Sequence, residues 1–260
     1  VNLMIELEDM LTSNSCSVIV TAIIKYIAYN AKQIPFSYEA FTRTMSLHKK
    51  RLYNDDNSSD SSLSVQTVRK KKAVSYIQRI LSVFENFECT FKNLECELWT
   101  YNVKEVMLIV GPNLSMPKQV LRIVLPLLAL GHSIVQRHVR KNLLAVFRQL
   151  QESKHLNDRL VGISGPTNMF VLVGMSPYTS GPQTAWFQPV ERVDISEKTP
   201  QTIIRLTNPD SSCTLHEAID DTHQELTTID SYAWYKSINI IHGFKDFKID
   251  GISAVNVFDC

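Results

Sequence analysis

The run from Cys16 to Glu39, CSVIVTAIIKYIAYNAKQIPFSYE, constrains the fold more than any other part of the chain. Val18, Ile19, Val20, Ala22, Ile23, Ile24, Tyr26, Ile27 and Ala28 leave almost no polar stripe. The spacing therefore predicts a helix covered on several faces, a central element rather than a surface one. Asn14 or Ser15 can cap its start, and Pro35 cannot continue it and biases Ile34 away from α geometry, so the helix should end at about Lys32. Burying about five of these side chains, at roughly 1.5 to 3 kcal/mol each, would make the helix a major part of the core. The uncharged run from Ser13 to Ile24 is shorter than the roughly 18 to 20 residues a bilayer needs, and Lys25 interrupts it, which excludes a membrane span here.

With 260 residues, 44% hydrophobic and 20% charged, the chain reads as one globular domain over 1–260 carrying insertions. A net charge of +1 gives no general attraction to nucleic acid or anionic membrane, so neither is expected as a direct partner. Five scattered cysteines without a CxxC pair fit reduced thiols of the cytosol or nucleus. Cys89 and Cys96, seven apart on one helical face, read as buried small hydrophobes. The opening VNLMIELEDML has no basic region and does not read as a secretory leader.

Residues 47–72 are rich in Ser, Asp and Asn and read as a mobile insertion flanked by basic clusters at Lys49 to Arg51 and Arg69 to Lys72. Those clusters fit a solvated loop edge, or a nuclear-import or phosphate-contact role. Ala73, Ile77, Ile80, Phe84, Phe87, Phe91, Leu94 and Leu98 then form one stripe of a long helix, packed in the core or in a coiled coil. Glu105 to Val110 has the composition of a buried strand. Leu121 to Leu130 contains Pro126 and reads as an edge or irregular segment. Ser133 can cap a third helix running to about Gln151, with Val135, Val139, Val146 and Leu150 on one side. Leu143, Leu144 and Phe147 broaden that side into surplus core or contact surface, rimmed by Arg137, Arg140, Lys141 and Arg148. Strand-like runs follow at Met169 to Val173, Thr202 to Leu206 and Tyr232 to Ile241, with an acidic insertion at 208–229. Helices first and strands last favour α+β.

No catalytic constellation emerges, and no enzyme is expected. Gly162 to Gly165 lacks the spacing of a nucleophile elbow, and Gly111 to Lys118 lacks the ending of a phosphate loop. His216, Glu217, Asp220, Asp221 and His223 do not match the HExxH geometry, so neither metal nor cofactor is expected.

Four blocks, in order, carry a family resemblance: Tyr29 to Glu39 (YNAKQIPFSYE); Val103 to Lys118, with VMLIVGPNLSMPK; Trp186 to Pro189 ahead of Thr202 to Leu206; and Tyr232 to Phe244 (YAWYKSINIIHGF). Together they resemble the HORMA domain, and most closely the comet family, whose members bind the spindle-checkpoint HORMA protein Mad-two. The resemblance implies a HORMA-like fold, three helices packed on an antiparallel sheet with a C-terminal safety belt. The chain's own C-terminal part would fill the partner slot, with Tyr232, Trp234, Ile238 and Ile240 on the belt or pseudo-ligand strand. It also implies docking on closed Mad-two through Asn30, Arg140, Leu143, Leu144 and Phe147. Asn30 stands where the family commonly shows Gln, and Leu143 where it shows Phe. An adaptor contact to a pachytene-checkpoint-type AAA+ ATPase would fall at Pro189 and Val190, the second replacing a usual basic residue. Checkpoint silencing in nucleus and cytoplasm, at spindle or kinetochore in mitosis, is the implied role. The other reading is a HORMA protein that captures a partner peptide with its own belt, as checkpoint, translesion and meiotic members do.

Overall fold

A computed structural model describes residues 1–55, 65–100, 102–129, 136–209, 232–246, 248–249 and 252–253. In order they form β1 (Asn2–Glu6), α1 (Ser13–Asn30), α2 (Tyr38–Asp55), α3 (Val65–Leu98), β2 (Val103–Gly111), β3 (Gln119–Val124), α4 (Gln136–Glu152) and α5 (Lys154–Val161). Then come β4 (Asn168–Met175), β5 (Phe187–Val190), β6 (Gln201–Thr207), β7 (Ala233–Ser237), β8 (Ile241–His242), β9 (Lys248–Ile249) and β10 (Ile252–Ser253). The main sheet runs β1-β6-β3-β2-β4-β7-β5, with β8 also on β4. Its helices cover one face, giving an α+β architecture.

Several expectations need correction. The sheet is mixed rather than antiparallel, because β6 lies parallel to both β1 and β3. Five helices are described where three were expected. Much of 47–72 is helical: α2 extends to Asp55 and α3 begins at Val65, leaving 56–64 outside the described residues. The missed signal in α2 was a stripe of Tyr38, Phe41, Met45 and His48, all buried. β3 is an interior strand with all six residues buried, because Pro126 lies beyond its end and costs no ladder bond. Cys89 and Cys96 are exposed, since they lie off the stripe that α3 buries. Ser133, the acidic cluster at 216–223, most of 208–229 and the tail beyond 253 lie outside the described residues.

α1 starts two residues earlier than the nearer of its candidate caps, Asn14, suggested. Thr12 is the N-cap, and Thr12 and Ser15 form a reciprocal capping box. The helix ends at Asn30, with Lys32 following at φ 55°. Ile19, Val20, Ile23, Ile24 and Ile27 are fully buried, with the α3 stripe, the sheet face of Val106, Leu108 and Val110, and Val146 and Leu150 of α4 in the same core. An aromatic cluster closes the far end: Phe41 meets Phe84 at 5.3 Å and Phe244 at 5.4 Å. On the other sheet face Met107, Ile109, Phe170, Leu172 and Trp234 form a smaller core. There Arg122 donates two bonds to the buried Glu105 carboxylate.

Candidate docking face and adaptor strand

α1 is not covered on all sides. Val18 and Tyr29 are exposed and Ala22 and Lys25 half-buried, a strip at four-, three- and four-residue intervals. Beside it on α4, Leu143 and Phe147 are half-buried, Arg140 is exposed, and Leu144 is 64% exposed. α1, α3 and α4 enclose a groove of about 740 Å³ lined by Val18, Ala22, Tyr29, Asn30, Leu143 and Phe147. Three of the expected docking residues, Asn30, Leu143 and Phe147, thus meet in one groove, while Leu144 and Arg140 lie on α4 outside its lining. Asn30 Nδ2 donates to the Tyr26 carbonyl at 2.9 Å, capping its own helix and leaving Oδ1 without a partner among the described residues.

The opposite wall was not foreseen. Lys25 Nζ stands 4.5 Å from the Tyr38 ring centre and 5.3 Å from that of Phe91. Tyr38 donates its hydroxyl proton to Glu88. Burial pushes the Tyr38 phenol well above its ordinary range, helped by the Glu88 bond and the charges of Glu88 and Glu39. Phe91 belonged to a stripe read as core or coiled coil, and it also lines the groove.

Two amides fix α4. Asn142, 1% exposed, accepts from the Glu8 and Asp9 amides at 2.9 Å and donates to the Asp9 carbonyl at 2.9 Å. Seven residues on, Gln149 accepts from the Glu6 amide and donates to its carbonyl at 3.0 and 2.8 Å. These side chains do for the end of β1 what a further strand would, sealing part of an open edge. They also set the rotation of α4, which leaves Leu144 facing outward and Leu143 and Phe147 half-buried between core and groove.

The C-terminal segment enters the sheet. β7 pairs antiparallel with β4 on one side and β5 on the other, with Pro189 opposite Tyr235 and Val190 opposite Trp234. Of the expected belt residues, Trp234 is buried in the second core, Tyr232 and Ile240 pack on its margin, and Ile238 is 46% exposed. The expected run Tyr232 to Ile241 is broken at 238–240, between β7 and β8. Further along, Asn239 donates to Asn86 at 2.8 Å, and Tyr76 donates to the Lys245 carbonyl at 2.7 Å. Pro189 is exposed and Val190 half-buried on a small cleft of about 280 Å³ shared with Tyr232 and Trp234.

Among the described residues no group of three His, Cys, Asp or Glu could hold a metal, and no helix is long and apolar enough to cross a membrane. What the molecule offers instead is a rigid apolar face and a strand edge, both suited to protein contact. No curated protein matches the chain. A family model described as p31comet, Mad1 and Cdc20-bound-Mad2 binding, matches residues 6–246. With the HORMA-like α+β fold and the chain's own C-terminal strand in the sheet, that match shows that this chain belongs to the p31comet family of spindle-checkpoint Mad2-binding proteins.

Proposed function

We propose that this chain silences the spindle checkpoint as an adaptor: it docks on the closed conformer of Mad2, blocks self-pairing of Mad2, and presents it to a pachytene-checkpoint-type AAA+ ATPase for remodelling. The observation that carries the docking step is the open apolar strip across α1 and α4, with Val18, Tyr29 and Leu144 exposed on helices whose inner faces are locked in the core. Apolar side chains on a rigid support lose little conformational freedom on binding, which favours tight association. Arg140 at the rim adds charge selectivity rather than raw affinity. The ATPase contact falls on Pro189 and Val190, at the far end of the sheet from α4. The same proposal puts the action in nucleus and cytoplasm, and at spindle or kinetochore during mitosis, as the family resemblance implies. The chain supplies binding energy and position, and the ATPase supplies the chemistry.

The peptide-capture reading has less support, because β7 already fills the place between β4 and β5 where β-addition would insert a partner strand. The deciding experiment mixes the purified chain with Mad2 locked open and Mad2 locked closed. Preferential binding of the closed form is expected, and equal or absent binding to both would sink the adaptor reading.

A further inference from the structure

We infer that Glu97 is the positioning residue of the adaptor strand, the group that holds β5 where an ATPase can engage it. This inference rests on the adaptor reading and extends it to a residue that touches no partner. Glu97 lies in the last turn of α3, fully buried. Its Oε1 accepts from the Thr184 amide at 2.9 Å and the Thr184 hydroxyl at 2.7 Å, and its Oε2 accepts from the Gln183 amide at 3.0 Å. No cation neutralises it among the described residues. A buried carboxylate without an ion partner is a costly way to hold a loop if stability alone were the purpose, because desolvation opposes it and an apolar contact would not suffer that loss.

What the carboxylate holds explains its use. Gln183 and Thr184 stand four and three residues before Phe187, the first residue of β5. The same loop turns at Gly181, whose positive φ of 82° suits glycine, and an added Cβ there would stand 3.3 Å from the Tyr235 hydroxyl. A second hold follows at Trp186, whose carbonyl accepts from the Ile238 amide at 2.9 Å. The connection from β4 therefore reaches β5 clamped to α3 on one side and to β7 on the other. A four-residue edge strand makes too few ladder bonds to set its own position. The clamp also joins the two partner sites, because Glu95, two residues before Glu97, lines the docking groove. One stiff helix thus carries both the groove wall and the anchor of β5.

The test uses the full chain as wild type, Glu97→Ala, Glu97→Gln and Thr184→Val, each measured against the hexameric ATPase and against closed Mad2. Glu97→Ala should lower ATPase affinity by about tenfold while leaving closed-Mad2 affinity within about twofold. Hydrogen exchange should rise at Phe187 to Val190 and stay unchanged in α1 and α4. Glu97→Gln keeps one acceptor but turns an NH₂ toward an amide donor, so it should fall between wild type and Ala. Thr184→Val removes one bond without exposing charge and gives a milder loss should the Ala variant fail to fold. If the wild-type chain does not bind the ATPase, the adaptor reading falls and this inference with it. If wild type binds and both Glu97→Ala and Thr184→Val bind equally well, only the clamp is overturned. A parallel loss of Mad2 affinity would make Glu97 a general stability residue and overturn the positioning role as well.

Discussion

The docking helices are immobilised chiefly by an apolar core, whereas the C-terminal strand and β5 combine a few buried side chains, Phe187, Trp234, Ile241 and Phe244, with a set of directional polar bonds. On the docking side, α1 buries a continuous row of isoleucines and α4 is pinned by Val146 and Leu150 before Asn142 and Gln149 fix its rotation. On the belt side, position depends on Gln33, Gly243, Tyr76, Asn86 and Glu97, each acting on backbone or on one side chain. Apolar burial is non-directional and tolerates small shifts, while these bonds are directional and fail one at a time. The belt should therefore be the more brittle of the two regions.

The largest effect is expected where the belt meets α1. Gln33 is fully buried, with Oε1 accepting from the Thr167 amide at 2.7 Å and its own carbonyl accepting from the Phe244 amide at 2.9 Å. Gly243 passes so close that an added Cβ would stand 2.7 Å from Gln33 Oε1 and 2.8 Å from Pro166 Cβ and the Thr167 carbonyl oxygen. Two of those neighbours are ring and backbone, so the knot cannot yield. Gly243→Ala should cost about 3 kcal/mol in denaturant unfolding, with exchange rising first in β8 and the segment after it. Uniform loss of protection across α1 and α4 would erase the contrast between the regions.

On the docking side the matching probe is a surface residue. Leu143 is half-buried and packs on the core, so Leu143→Glu confounds binding with folding. Leu144, largely exposed on the same helix, does not. Leu144→Glu should weaken the closed-Mad2 complex by about 2 kcal/mol in calorimetry with an unchanged melting temperature. Unchanged affinity would remove this turn of α4 from the interface.

The sequence reading reached the helix side further than the belt side, and the residues show why. The α3 stripe and the isoleucines of α1 obey a helical period, and a period is visible without knowing what packs against it. The strip Val18, Ala22, Lys25, Tyr29 was equally periodic but hidden, because apolar residues surround it and only tertiary packing decides which face stays open. β5 carried no strand pattern at all: FQPV is short and contains proline, and it is extended only because β7, distant in sequence, lies beside it. Asn142, Gln149 and Glu97 were ordinary polar residues in the sequence. Their roles arise from backbone groups far along the chain, at Glu6 to Asp9 and at Gln183 to Thr184.

Alkaline pH loads the helix side in a predictable direction. Burial pushes the Cys16 thiol in α1 up from 9.0 to about 12, and the Tyr38 phenol in α2 is raised from 10.0. Above pH about 9 the unfolded thiol releases its proton while the folded one keeps it, so the unfolded state binds fewer protons and stability falls as pH rises. From Cys16 the fall should be at most about 1.4 kcal/mol per pH unit, joined above pH about 10 by Tyr38. Cys16→Ala should delay the onset to the tyrosine range in pH-dependent thermal melts. An onset unchanged by that substitution would show that another group governs it.

The smallest effect belongs to the outer edge of β5. Trp186 accepts from Ile238, and Phe187 stands opposite Ser237 with Gln188 opposite Lys236. Alternation along an antiparallel ladder then turns the backbone groups of Gln188 and Val190 toward β7 and those of Phe187 and Pro189 outward. Proline has no N–H, so the strand offers only the Phe187 amide as an outward donor, a common defence of an edge against unwanted pairing. Pro189→Val restores the second donor, and each added bond is worth about 1 kcal/mol or less. The variant should fold as stably as wild type and show weak, concentration-dependent self-association in sedimentation velocity. It also distinguishes two ways of using the edge: an ATPase that grips the proline ring binds the variant less tightly, and one that adds a strand to the sheet binds it more tightly.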